Sequence, residues 1–304
     1  MTKIEKAILQ TLAFFDIFGR PLTLEEIWQF LYKLKASQIQ VLIGLENLQK
    51  KLKINKKNQY NFLSKQSSMM EEFAIKQAIC QRNWRKVSWV IKILKFIPFV
   101  KNISIINSLA FGTSNKDSDI DILLIAKKNR LWTARAFTVL LLEIIGQNKN
   151  KWYQAGKFCL GFAFDESRLD LSEIRQEYPA HFAYWLATLA PVYDRGLYQK
   201  LIEGNLILQI LPNWQPKSIK IYSPKAVLIE KLLSGNFGDC LEQFLAQIQI
   251  NKVWRDPQNR KAKGMNVIAD RSMLKMHPMD RRGEYQKKWL EILRGVSTPH
   301  NPLL

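Results

Sequence analysis

The chain is most informative at residues 103–125, which read ISIINSLAFGTSNKDSDIDILLI. An apolar, largely β-branched run leads into a turn of small residues, a polar loop follows, and a second apolar run begins with acids alternating with isoleucine. Successive side chains of a strand point to opposite faces. The spacing therefore predicts that Asp119 and Asp121 project from one face of a strand, with Ile120 and Ile122 on the other.

This placement of two acids has a consequence for the chemistry. Neighbouring carboxylates repel each other unless a cation lies between them, and Mg²⁺ prefers one or two carboxylates together with phosphate oxygens. Asp119 and Asp121 are therefore predicted to be metal ligands. The alternative is an edge strand whose acids are solvated, which the apolar character of the rest of the strand disfavours.

Two other ion- or nucleotide-binding motifs are excluded by the same residues. A calcium EF-hand loop that opens at Asp117 needs Gly five residues later and Glu six residues after that, where the sequence has Ile122 and Lys128. A dinucleotide-binding fingerprint needs three glycines that open a helix, and this segment has only Gly112, followed by a strand.

The stretch resembles the signature of the polymerase-β-like nucleotidyltransferase superfamily. That signature is Gly-Ser-x-Ala-x-Gly, then about six residues, then Ser-Asp-h-Asp, where h is apolar. Here the two parts read NSLAFG at 107–112 and SDID at 118–121, with Asn107 in place of the first glycine. The continuation KKNRLWTAR at 127–135 is similar to a bacterial subgroup that carries a winged-helix-like region before the transferase core.

The resemblance implies an α+β fold, with a nucleotidyltransferase core on a short mixed β-sheet. It also implies Mg²⁺-dependent (or Mn²⁺-dependent) transfer of a nucleoside monophosphate from an NTP to an acceptor hydroxyl, with release of pyrophosphate. Asp119 and Asp121 would hold the metal ions that bridge the triphosphate. The implied nucleotide-binding residues are Asn107, Ser108, Gly112 and Ser118. The acceptor stays open, because protein hydroxyls, RNA ends and small antibiotics all suit this fold.

Members of this family place a third carboxylate, which usually activates the acceptor hydroxyl, on a later strand. The candidate strand at 157–164 reads KFCLGFAF and contains no acid. Asp165, just past its end, and Asp170 are the two candidates, and both stay open. The alternative function is a catalytically weak or inactive protein of this fold that acts as a nucleic-acid-binding regulator.

The first 66 residues predict a winged helix-turn-helix-like domain. Helical periodicity runs from Ile4 to Phe15, and two capping boxes, Thr23 with Glu26 and Ser37 with Gln40, open two more helices. Alternating residues around a polar turn at 56–58 then predict a hairpin. The residues predicted to contact a nucleic acid backbone are Lys50, Lys51, Lys53, Lys56 and Lys57.

The resemblance implies that residues 67–216 form the nucleotidyltransferase domain. The charge and periodicity of residues 217–304 predict a basic, mainly helical C-terminal segment. The chain of 304 residues carries 46 Lys and Arg against 26 Asp and Glu, a net charge of +20, which indicates an anionic partner. Three widely spaced cysteines and the lack of a signal peptide or spanning segment predict a cytoplasmic protein without membrane contact.

Overall fold

The computed structural model describes residues 1–63, 68–150, 152–174, 178–223, 225–264, 266–279 and 281–297. The predicted domain boundary at 66/67 and residues 298–304 of the predicted C-terminal segment lie outside them. The helices are α1 (Lys3–Asp16), α2 (Leu24–Gln29), α3 (Gln38–Lys50), α4 (Met69–Leu94), α5 (Asn107–Ala110), α6 (Leu131–Ile144), α7 (Pro179–Thr188), α8 (Tyr198–Glu203), α9 (Val227–Leu232), α10 (Asn236–Arg255), α11 (Pro257–Lys261) and α12 (Arg282–Ser297). The strands are β1 (Asn55–Lys57), β2 (Tyr60–Phe62), β3 (Val100–Ile105), β4 (Ile120–Ala126), β5 (Phe158–Asp165), β6 (Ala190–Asp194), β7 (Val267–Ala269) and β8 (Met273–Met276).

Six of these strands form one mixed sheet in the order β6-β3-β4-β5-β8-β7. Strands β4 and β5 run parallel, and every other neighbouring pair is antiparallel. The parallel pair needs a long crossover, which α6 supplies on one face of the sheet. The α+β class and the mixed sheet predicted from the sequence are confirmed. None of the helices in the described ranges has the length and apolarity needed to cross a membrane.

Both faces of the sheet are covered by helices, which form an apolar core on each face. Successive side chains of β4 point alternately into these two cores. Ile122 and Leu124 belong to a core shared with α4, α6 and α10. Leu123 and Ile125 belong to a second core, shared with α1, α3, α7 and α12. Because side chains alternate along a strand, Asp121 lies on the face of this second core.

The N-terminal helices begin where the sequence predicts. Thr23 and Ser37 form capping boxes with Glu26 and Gln40, and Thr2 forms a further one with Glu5 at the start of α1. Strands β1 and β2 form the predicted hairpin, and Leu22 forms a bridge to Asn61 beside it. Residues 1–63 therefore consist of three helices and a two-stranded hairpin, and Leu22, between α1 and α2, pairs with the hairpin as a third segment.

This N-terminal unit packs directly on the sheet layer through aromatic rings. Phe14 stacks on Tyr184 of α7 with ring centroids 4.3 Å apart, and Phe15 stacks on Phe111 at 5.2 Å. The Tyr184 hydroxyl donates a hydrogen bond to the Phe30 carbonyl oxygen at 3.1 Å. One continuous apolar core thus joins the N-terminal unit to the face of the sheet on which Asp121 lies.

On the opposite face, a buried acid fixes α10 to the start of α6. The Glu242 carboxylate accepts hydrogen bonds from the backbone N–H groups of Trp132 and Thr133, at 2.9 and 2.8 Å, and from the Thr133 hydroxyl at 2.6 Å. The first N–H groups of a helix have no partner within the helix, and a negative charge is favourable there. Glu242 therefore caps α6 from another helix.

We expect Glu242→Ala to lower the free energy of unfolding by about 2–4 kcal/mol, because it leaves buried donors without a partner. Urea denaturation followed by circular dichroism measures this difference. Gln243→Ala, an exposed change on the same helix, is the matched control and should lie within about 0.5 kcal/mol of the unmodified protein. Equal effects of the two changes would contradict the capping role.

Candidate functional site

The two predicted acids meet at the start of β4. Asp119 immediately precedes the strand and Asp121 is its second residue. Strand β5 adds a third group, because Cys159 is the residue that pairs with Asp121 across the parallel ladder. One ligand atom from each of Asp119, Asp121 and Cys159 lies within 4.8 Å of the others. These three side chains define the candidate metal-binding group of the site.

Two neighbouring side chains partly offset the negative charge. The Lys149 ammonium lies 2.6 Å from Oδ2 of Asp119. The Asn107 side-chain amide donates to Oδ2 of Asp121 at 3.0 Å. These contacts do not remove the repulsion: burial, followed by the charge of Asp119, raises the pKa of Asp121 from its usual 3.8 to about 6. The group therefore still favours an additional positive charge.

Cys159 is a protonated thiol at neutral pH. Burial and then the charges of Asp121 and Asp119 raise the pKa of Cys159 from 9.0 to about 12. The position beside the pair is therefore neutral, where the family resemblance leads one to expect a third acid. A bound divalent cation would favour the thiolate, since metal coordination deprotonates thiols.

The turn after β3 has the backbone that the motif requires. Asn107 has a φ of +56° and Gly112 a φ of +70°, both in the left-handed region. Asn is the non-glycine residue that tolerates this region best, so Asn107 can adopt this turn as a glycine would. Its side chain points away from the turn amides: its amide nitrogen bonds Asp121, and its oxygen accepts from Nε1 of Trp185 at 3.0 Å.

The other predicted nucleotide-binding residues surround this turn. The hydroxyl oxygens of Ser108 and Ser114 lie 3.3 Å apart. The Gly112 carbonyl oxygen accepts from the Gln77 side chain at 2.9 Å, which ties the turn to α4. The Ser118 hydroxyl accepts from the Asn115 backbone N–H at 2.9 Å. Ser108 lies beside Asn107, whereas Gly112 and Ser118 shape the loop that carries Asp119.

Neither candidate for the third carboxylate lies beside the pair. Asp165 pairs with Ala126 at the far end of β5, about 16 Å along the strand from Asp121 at ~3.3 Å per residue. It is buried, and it accepts hydrogen bonds from the backbone N–H groups of Asn129 and Ser167. Asp170 is exposed and accepts from the Ser172 backbone N–H. The structure thus gives both acids a local loop-shaping role, and Cys159 stands at the level of the pair.

A cavity of about 510 Å³ adjoins the acids. Asn107 and Ser108 line one end of it, although Asp119 and Asp121 are not themselves among its lining residues. Its walls are rich in aromatic rings, among them Trp185 and Tyr285, and three cations, Lys275, Arg281 and Arg282, also line it. The cavity thus begins at the turn that carries Asn107 and Ser108 and extends over the sheet.

Three residues of the site were missed by sequence reasoning. Lys149 follows α6 in a loop, and Trp185 lies in an apolar helix that resembles any core helix. Neither carries a local signal, because each reaches the site only through tertiary packing. Cys159 does carry a local signal, because it lies at the start of a predicted strand, as Asp121 does. Cys159 is the second residue of β5 and Asp121 the second residue of β4, and the parallel pairing of the two strands brings them side by side.

The five lysines predicted to contact nucleic acid are not equally placed. Lys50, Lys51, Lys56 and Lys57 are exposed, and Lys51 also forms an ion pair with buried Glu5 at 2.7 Å. Lys53 donates to the Val296 carbonyl oxygen of α12 at 2.7 Å. The outward face of α3, which a groove-reading helix would use, exposes Ile39, Leu42 and Ile43. The exposed lysines therefore lie at the end of α3 and on the hairpin.

Comparison of this chain with protein-family models, with curated proteins and with solved structures gives no match.

The Asp121 pKa generates a prediction about stability. A carboxyl whose pKa is raised on folding opposes folding once it ionises, so its unfavourable effect grows between pH 4 and 6 and is complete above that range. We expect Asp121→Asn to raise the free energy of unfolding at pH 7.5 by about 1–3 kcal/mol in metal-free buffer.

Urea denaturation at pH 4.5, 6 and 7.5 checks this, and the advantage of the variant should shrink as the pH falls. Asp117→Asn, which changes an exposed acid of the same loop, is the matched control. An advantage that is absent at pH 7.5, or that increases toward pH 4.5, would contradict the proposed burial of a repelled charge.

Proposed function

We propose that this protein is a metal-dependent nucleotidyltransferase that moves a nucleoside monophosphate from an NTP to an acceptor hydroxyl. The observation that carries the proposal is the convergence of Asp119, Asp121 and Cys159 at one point, directly beside the left-handed turn at Asn107. Paired carboxylates next to a turn of small residues fit the two parts of a nucleoside triphosphate complex, the divalent cation and the phosphates.

The donor set fits Mg²⁺ or Mn²⁺. The repulsion that raises the pKa of Asp121 is what a divalent cation would relieve, and Asp119 and Asp121 would hold it. Such a cation would neutralise charge on the triphosphate and on the departing pyrophosphate. The carboxylates supply the oxygen ligands that Mg²⁺ and Mn²⁺ prefer, whereas the Cys159 sulfur suits softer ions.

Residues around the acid pair would bind the triphosphate and hold the two carboxylates in position. In this proposal, Ser108 and the backbone N–H groups of the turn would bind the β- and γ-phosphates, as short turns with a left-handed residue do. Asn107 holds Asp121 in place and is itself held by Trp185. Lys149 holds Asp119 on the other side. Phosphoryl transfer depends mainly on such positioning and charge neutralisation.

In the proposed reaction, the acceptor oxygen bonds to the α-phosphorus while the bond between the α-phosphorus and the bridging oxygen to the β-phosphorus breaks. Pyrophosphate leaves with the electron pair of that bond, and the hydroxyl proton passes to a hydroxide ion from solvent, which becomes water. Within the described part of the chain, no further carboxylate joins Asp119, Asp121 and Cys159 in one ligand group. We therefore expect slow turnover that increases with pH, because hydroxide rather than a third acid removes the proton.

The experiment that tests this function uses [α-³²P]ATP with Mn²⁺ or Mg²⁺ and measures binding and then label transfer to RNA, nucleotides or the protein itself. Asp119→Asn and Asp121→Asn should each reduce binding of the metal–ATP complex and lower transfer by about 100-fold or more. Asp117→Asn is the matched control, and transfer should be unchanged. Metal–ATP binding that survives both site variants would overturn the proposal.

The second candidate function is a nucleic-acid-binding regulator of the same fold without transfer activity. Two observations favour it: Cys159 stands where a third acid would lie, and the exposed lysines of the hairpin, Lys56 and Lys57, add to a net charge of +20. Lysines on such a hairpin would contact phosphates without reading bases.

For this second function, we expect the double change Lys56→Glu, Lys57→Glu to weaken duplex DNA binding and to reduce its salt dependence by about two phosphate contacts. Fluorescence anisotropy at 50–200 mM salt measures both quantities. Lys116→Glu, an exposed lysine outside the hairpin, is the matched control. Binding that is the same in the double variant as in the unmodified protein would remove the hairpin from any nucleic acid interface.

A further inference from the structure

We propose that the 510 Å³ cavity beside the acids is the acceptor site, and that the acceptor is a nucleoside phosphate with a free hydroxyl. This inference rests on the proposed function, since it names the substrate that receives the transferred group. Two sources share that chemistry, a free mononucleotide and the 3′ end of a single-stranded RNA, and the experiment below distinguishes them.

The position of the cavity follows from the geometry of in-line transfer. The attacking and leaving oxygens lie on opposite sides of the phosphorus. The turn at Ser108, proposed to hold the leaving pyrophosphate, comes from β3 on one side of β4. Strands β5 and β8 lie on the other side of β4 and supply Phe162 and Lys275 to the cavity. An acceptor in this part of the cavity would face the α-phosphorus from the correct direction.

The walls of the cavity fit a planar base. Trp185 lies against Phe182 and Phe162, with ring centroids 5.8 Å apart in both pairs. Another platform is formed by His181 and Tyr285, whose rings are 5.5 Å apart and within 11° of parallel. Bases stack on such rings without sequence preference. Two aromatic platforms in one cavity thus favour a nucleobase over a sugar or an aliphatic acceptor.

The charges of the cavity fit a phosphate. Lys275, Arg281 and Arg282 line it, and none of the described lining residues is an acid. Arg281 also forms an ion pair with Glu284 at 3.3 Å, outside the lining. The ammonium of Lys275, which is only 5% exposed, lies 3.1 Å from the Asn266 carbonyl oxygen. Three cationic side chains and no acid among the described lining residues favour an anionic ligand. Aromatic walls and cationic groups together describe a nucleotide.

The size and construction of the cavity limit the ligand to a single nucleotide unit. A volume of about 510 Å³ lies in the range of sites for small molecules, and a duplex end does not fit in it. Phe18 of the N-terminal unit and Tyr285 of α12 meet at its edge with ring centroids 5.0 Å apart. Three separate parts of the chain thus enclose the ligand.

The test first saturates the full-length protein with Mn²⁺ and α,β-methylene-ATP, which fills the donor site. AMP and a single-stranded RNA 12-mer with a 3′ hydroxyl are then titrated separately by calorimetry. We expect at least one of them to bind beside the analogue. Tyr285→Ala and Lys275→Met should each weaken that binding about tenfold, and Tyr285→Phe should restore it.

Two controls separate the cavity from the donor site and from misfolding. Tyr153→Ala, which removes an exposed ring outside the cavity, should leave acceptor binding unchanged. Thermal melting of Tyr285→Ala and Lys275→Met shows whether each is folded, and the analogue should bind both variants as tightly as the unmodified protein. Tighter binding of AMP than of the 12-mer identifies a mononucleotide acceptor, and the reverse identifies an RNA end.

Two outcomes would overturn the inference while the proposed function stands. In the first, AMP competes with the analogue instead of binding beside it, so that the cavity would hold the base of the donor. In the second, neither AMP nor RNA binds the analogue complex. The proposed function fails as well if the analogue does not bind, or if it binds equally well without Asp119 and Asp121. The titration of the analogue into the Mn²⁺-loaded protein, before AMP or RNA is added, gives this result by itself.

Discussion

The repulsion between Asp119 and Asp121 is the constraint on which the site depends. Period-two alternation of β4 forces both carboxylates to one face, and the core on that face buries Asp121 enough to raise its pKa. Lys149 and Asn107 offset only part of the charge. Strongly shifted pKa values are concentrated at functional sites. In the function proposed above, this repulsion is what a bound cation would relieve.

A chain of hydrogen bonds from α7 holds one of the two acids in position. Trp185 fixes Asn107, and Asn107 fixes Asp121, so that helix α7 controls a carboxylate on β4 through a side-chain amide. A glycine at position 107 would give the same turn but could not make either hydrogen bond. Asn107 thus combines the left-handed backbone of the turn with two hydrogen bonds that anchor Asp121.

Much of the fold could be predicted from local signals, and the parts that could not were set by tertiary packing. The capping boxes at Thr23 and Ser37 and the alternation at Asp119 and Asp121 act over a few residues, so the sequence displays them directly. Asp165 was a reasonable candidate because it ends an apolar strand. Its distance from the pair depends on the register of β4 and β5, which includes a bulge between Cys159 and Phe162. Lys149, in the loop after α6, and Trp185, in α7, reach the site only through tertiary packing, for which no local pattern exists.

The N-terminal unit is joined to the site by the same rings that form its core. Phe14 and Phe15 contact Tyr184 and Phe111, and Phe18 contacts Phe111 and lines the cavity. Helix α12 closes the other side, where Trp289 donates a hydrogen bond to the carbonyl oxygen of Gln10. Movement of this unit away from the sheet would expose apolar surface and open the cavity together. Burial therefore couples the position of the N-terminal unit to the shape of the ligand site, whether or not its hairpin also contacts nucleic acid.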